Sequence, residues 1–141
     1  MDSMHFQGVS MMNLRLARWV SLLALCVTGV SAQSQQVVAE FSGSNNTTTR
    51  EFQVRAPWIM NWRVTGNYTS SVGFELMLLD GKTRMHKGVI LRLRRVGNGV
   101  KLFNESGTFR FRVSSGLANW HLKVEEISEE EAKLYTPRKG N

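Results

Sequence analysis

Cysteine, proline, histidine and aspartate are all scarce in this 141-residue chain: one Cys, two Pro, three His, and only Asp2 and Asp80. A lone thiol at Cys26 excludes an internal disulfide framework. No HxH, HxxxH or Asp-rich loop is present, so neither a zinc nor a calcium site is expected. A G-x-S-x-G elbow is missing, and Gly97-Asn98-Gly99 has neither the helix nor the lysine of a phosphate cradle. Glu40, Glu51, Glu75, Asp80 and Glu105 are scattered, and no spacing singles out a pair for acid/base work. Ser106 and Ser115 adjoin Gly107 and Gly116, which is ordinary turn composition. No catalytic residue, metal or cofactor is therefore assigned, and a non-enzymatic role is expected.

No apolar run reaches the roughly 20 residues that a helix needs to cross a bilayer. The longest, Trp19 to Ala32, follows Arg15 and Arg18 and ends with Val30 and Ala32, small residues at the positions a signal peptidase accepts. That is the n-region, h-region and cleavage site of an export signal, with cleavage expected between Ala32 and Gln33. Residues 1–32 are read as leader and signal peptide, and the product as secreted or periplasmic. Met1, Met11 and Met12 are alternative starts. Leu25 before Cys26 disfavours lipid attachment, which needs a small residue there.

What the chain does have is alternation. Apolar and polar residues take turns at Phe52–Val54, Trp58–Val64, Phe74–Leu78, Val89–Leu93, Phe109–Val113 and Trp120–Val124, with shorter runs at Val37–Phe41 and Val100–Phe103. A period of two is a strand with one buried face. Asp80-Gly81, Asn104-Glu-Ser-Gly107 and above all Gly97-Asn98-Gly99 read as hairpin turns. The expected fold is all-β: a single antiparallel β-sandwich or jelly-roll-like domain of about eight short strands over residues 33–127. Runs of five to seven residues are too short for an outer-membrane barrel. The 128–141 tail has one helix signal, Ser128 and Glu131 as a capping box, closed by Pro137.

In order along residues 41–124 stand Phe41-Ser-Gly43, Thr49-Arg-Glu-Phe52, Pro57-Trp58 with Trp62, Phe74-Glu-Leu76, Ser106-Gly107-Thr-Phe109 and Trp120-His-Leu-Lys-Val124. This order resembles that of small exported bacterial β-sandwich proteins of unknown function. The resemblance implies the fold and export and carries no site residues. It also bears on the sequons at Asn45, Asn46, Asn67 and Asn104, which would accept glycans in a eukaryotic secretory pathway and mean nothing in a bacterium.

Charge points to a partner. The whole chain carries +7, and residues 33–141 hold 16 Lys and Arg against 10 Asp and Glu, a net of +6. Arg92, Arg94, Arg110 and Arg112 all fall on the polar parity. If their strands are neighbours, the four guanidiniums share a face and form a binding surface for an anionic envelope glycan, a lipid head group or an acidic protein. Exposed strand cations also serve simply to deter aggregation. Glutamates at 125, 126 and 129–131 offer a further outcome, the acidic tail folding over that face. Nucleic acid is not expected outside the cell. The alternative function is a carbohydrate-binding module using exposed aromatics, for which Trp58, Trp62 and Trp120 are the candidates. Their parity places them in the core instead.

Overall fold

The computed structural model describes residues 35–67 and 71–137, all within one compact unit, Ala32–Asn141. The signal peptide, Cys26, the alternative starts and the Ala32–Gln33 cleavage point lie outside the described residues, as does the chain after residue 137.

Among the described residues nine strands and one helix follow one another: β1 (Gln36–Gly43), β2 (Thr47–Thr48), β3 (Phe52–Val54), β4 (Trp58–Gly66), β5 (Phe74–Asp80), β6 (His86–Leu93), β7 (Gly97–Phe103), β8 (Gly107–Ser114), β9 (Ala118–Glu126) and α1 (Glu129–Tyr135). They build two antiparallel sheets. One is four-stranded, β1-β9-β4-β7; the other runs β2-β8-β5-β6, with β3 also paired to β8. The fold is an all-β sandwich, as the alternation predicts.

The core lies between the sheets, filled by the apolar parity of each strand. Trp58, Met60 and Val64 of β4 meet Leu122 and Val124 of β9 on one side. Phe52, Val54, Phe109, Phe111, Phe74 and Leu76 come from the other side. Phe52 is central to the aromatic cluster, with ring centroids 4.9 Å from Phe111, 5.9 Å from Trp58 and 5.9 Å from Phe41. Trp58 stacks on Phe103 at 4.0 Å, and its Nε1 donates to the Glu105 carbonyl at 2.9 Å. Trp120 is 3% exposed, and its Nε1 donates to the Asn45 carbonyl at 3.3 Å. Their polar edges are satisfied inside the fold, so both indoles are core residues with no face left for a ligand.

Four local expectations are corrected. Gly97-Asn98-Gly99 is not a hairpin turn; it opens strand β7, and β6 and β7 belong to different sheets. The glycines serve the indole of Trp62, which lies across them: a β-carbon on Gly99 would sit 2.8 Å from the ring. The β5–β6 hairpin is real, but its left-handed residue is Arg84 (φ 61°). Gly81 is there for close approach, because a β-carbon would meet Thr108 at 2.6 Å. In β6 the pairing slips beside Leu76/Met77, which turns Val89 outward and packs Ile90 against the core. Finally, Leu79 is fully buried although it sits on the polar parity, between His86 and Arg110.

The tail forms the expected helix. Ser128 Oγ accepts from the Glu131 amide at 3.2 Å, and the Glu131 carboxylate accepts from the Ser128 amide at 3.1 Å. A seven-residue helix is marginal alone. It docks: Ala132 and Tyr135 pack with Ile127 on Ile59 of β4 and Leu102 of β7. Ile59 and Leu102 are register partners on the outer face of the four-stranded sheet.

Candidate functional site

The outer face of the four-stranded sheet is laid out in cross-strand rows. Asn98, Arg63, His121 and Ser42 form one row across β7, β4, β9 and β1. Val100, Asn61, Lys123 and Glu40 form the next. Leu102, Ile59, Glu125 and Val37 form the third, where α1 covers Ile59 and Leu102. Over the first two rows lies a trench of about 580 Å³ lined by Asn61, Trp62, Arg63, Asn98, Gly99, Val100, His121 and Lys123. A shallower hollow that shares Arg63 and Asn98 continues it toward Thr65 and Val96. The main trench is within the roughly 300–1,000 Å³ of small-molecule sites, and most of its lining residues are polar.

Its charges are mostly answered. His121 Nε2 lies 2.6 Å from Glu40 Oε1. Lys123 Nζ lies 3.2 Å from Glu125, whose buried carboxylate also accepts from the Asn61 amide. Arg63 is exposed and has no counter-ion among the described residues. The row therefore presents one free guanidinium flanked by the Asn98 amide and an imidazole.

The arginines singled out by charge are placed on the other sheet. β6 and β8 are not neighbours; both flank β5. Arg92 stands opposite Glu75 and pairs with it at 2.5 Å. Arg110 Nε donates to the Gly81 carbonyl at 2.7 Å, and Arg110 also reaches the Thr49 carbonyl and Glu51, leaving its side chain 21% exposed. Arg112 is exposed beside Met77 with no partner among the described residues. Arg94 lies just beyond the end of β6, where its carbonyl accepts from the Val72 amide at 3.1 Å. Arg92, Arg110 and Arg112 thus share an outer face across β5, and carboxylates already answer two of them. The acidic tail does not cover this face. It lies against the opposite sheet, where Glu125 and Glu126 engage Lys123 and Arg55.

Of the described tryptophans, only Trp62 is half-buried rather than buried, at the margin of the trench with its ring packed over Gly97 and Gly99. Alternation already puts Asn61, Arg63, His121 and Lys123 on the polar parity. Nothing in it says that β4 and β9, about 60 residues apart, lie side by side. Asn98 is hidden by reading Gly97–Gly99 as a turn. Among the described residues no group of three or more His, Cys, Asp or Glu gathers as a metal site. No described helix is long and apolar enough to cross a membrane.

No protein-family model matches the chain. No curated protein matches either. Among solved structures it is similar to the N-terminal CBM22-1–GH10 modules of endo-1,4-beta-D-xylanase 10B from Clostridium thermocellum, complexed with xylohexaose, at 11% identity and a TM-score of 0.34. That match covers 75% of this chain, and the chain spans only 28% of the length of that structure.

Proposed function

We propose that this chain is an exported, non-enzymatic binding module that holds a saccharide in the trench on the outer face of its four-stranded sheet. The observation that carries this reading is the convergence of Asn61, Arg63, Asn98, His121 and Lys123, from three strands, on one hollow of about 580 Å³. Amides and cations donate hydrogen bonds in fixed directions, which is what a hydroxyl-rich ligand requires. They stand on strands, whose backbones hold them in register. Export rests on the leader-like composition of residues 1–32. The non-enzymatic part is supported by the two carboxylates that adjoin the trench lining, both occupied: Glu40 by His121, Glu125 by Lys123 and Asn61.

Affinity electrophoresis of the full chain through gels containing neutral or acidic soluble polysaccharides tests this. At least one polysaccharide should retard the protein. Asn98→Trp, which fills the trench from an exposed position, should abolish the retardation with the unfolding transition unchanged. Retardation by none of the panel, or retardation indifferent to Asn98→Trp, overturns the proposal.

A further inference from the structure

We infer that the saccharide is an acidic one, a glycan built with uronic-acid residues, and that Arg63 reads its carboxylate. This rests on the saccharide reading above and narrows it.

Three side chains that line the trench are cationic or can become so, and their surroundings differ. Lys123 faces Glu125 at 3.2 Å, and His121 faces Glu40 at 2.6 Å. Arg63 stands between Asn98 and His121 in the first row with no acid of its own among the described residues. A guanidinium presents a planar fork of donors that matches a carboxylate in two parallel hydrogen bonds. The Asn98 amide beside it on the same row can donate to or accept from a hydroxyl. One carboxylate set among hydroxyls is the pattern of a uronic acid.

The same surroundings argue against denser anions. Glu40 stands in the next row and Glu125 in the row beyond it, so a polyphosphate or heavily sulfated chain laid along those rows would meet like charge beside the one cation of the trench that has no acid among the described residues. They argue against a peptide as well. The apolar residues of the lining are Val100, Trp62 and a glycine, and the hollow is an open trench with no enclosed pocket for a side chain. Peptide anchors dock in desolvated apolar pockets.

The test is calorimetric titration of the full chain with an oligogalacturonate and with a neutral galacto-oligosaccharide of equal length. Arg63→Gln and Arg63→Lys are compared with the natural sequence. The oligouronate should bind at least about tenfold more tightly, as loss of a charge-assisted bidentate pair implies. Arg63→Gln should remove that preference, weakening the oligouronate at least about tenfold more than the neutral ligand, and Arg63→Lys should restore part of it. Added salt should weaken only the oligouronate. Equal binding of the two ligands, or oligouronate binding untouched by Arg63→Gln, overturns the acidic assignment and leaves the saccharide reading standing. Displacement of the oligouronate by a short acidic peptide that binds more tightly also overturns it, in favour of a protein partner. If neither sugar binds, nor any polysaccharide of the wider panel, both readings fall together.

Discussion

Trp62 and Gly99 face each other across the β4–β7 ladder, so closely that a β-carbon on the glycine would stand 2.8 Å from the indole. The glycine makes room for a ring, and the ring closes the margin of the sandwich. Forcing atoms into a packed site typically costs about 1–3 kcal/mol. Gly99→Ala should therefore lower stability by about that much in urea unfolding followed by tryptophan fluorescence. In a Trp62→Ala background the same change should cost little. If the two effects simply add, the ring is not what the glycine accommodates.

Trp58 and Trp120 are expected to behave alike and unlike Trp62. Each is buried with its indole N–H satisfied by a backbone carbonyl. Truncation to alanine should cost about 3–5 kcal/mol and leave little folded protein. Folded Trp58→Ala protein with native thermal stability would contradict the core placement.

Asp80 supplies an acid-side prediction. Its carboxylate accepts from the Thr83 amide, the Thr83 hydroxyl and the Lys82 amide, which hold it below its ordinary 3.8, with a smaller contribution from the Lys87 charge. A carboxylate depressed in the folded state adds stability that is present above its unfolded value. That stability disappears as pH falls through the lower folded value. The melting temperature of Asp80→Asn should thus fall less steeply than that of the natural sequence as pH drops below about 4. Parallel curves from pH 6 to pH 2 would show that the turn does not feel this charge.

On the five-stranded sheet, Glu75 and Glu51 restrain the arginines opposite them. Glu75→Gln frees Arg92 and should raise the salt concentration at which the protein leaves a heparin column. The accompanying change in stability should stay within about 1 kcal/mol, the usual reach of an exposed pair. Unchanged elution would mean that this face does not meet polyanions at all.

Ser128 caps α1 and faces a milder test. Ser128→Ala removes the acceptor for the Glu131 amide. It should cost about 0.5–2 kcal/mol and expose Ile59 and Leu102, measurable as increased dye binding at mild denaturant. No loss of stability would mean that the docked Ala132 and Tyr135 hold the helix without its cap.

The fold was legible because strands with one wet face write their burial every second residue. Phe109, Phe111 and Val113 are buried, while Arg110 and Arg112 point out. The same logic placed Trp58 and Trp120 in the core, and the capping box of Ser128 and Glu131 marked the start of the helix. It failed where local composition had two uses. Gly97-Asn98-Gly99 has the residues of a tight turn, yet they were serving a ring contributed by a strand 35 residues earlier. It failed again at Val89 and Ile90, because a slipped register inverts parity without leaving a mark in composition. The trench was illegible for a further reason. Its rows exist only once β9 lies between β1 and β4, and strand order is a property of long-range pairing that no local pattern encodes.

That order has a consequence for how the chain can come into being. Among the described residues, successive strands change sheet six times, and β5–β6 is the one pair of consecutive strands bonded to each other. The strand that joins β1 to β4 is the last, ending at Glu126. β1 therefore has no partner until synthesis reaches β9, and β2 and β3 have none until β8; slow, late closure is the rule for such non-local architectures. A polypeptide that cannot lock early stays threadable through a narrow pore, which is what the proposed export would require of it before folding.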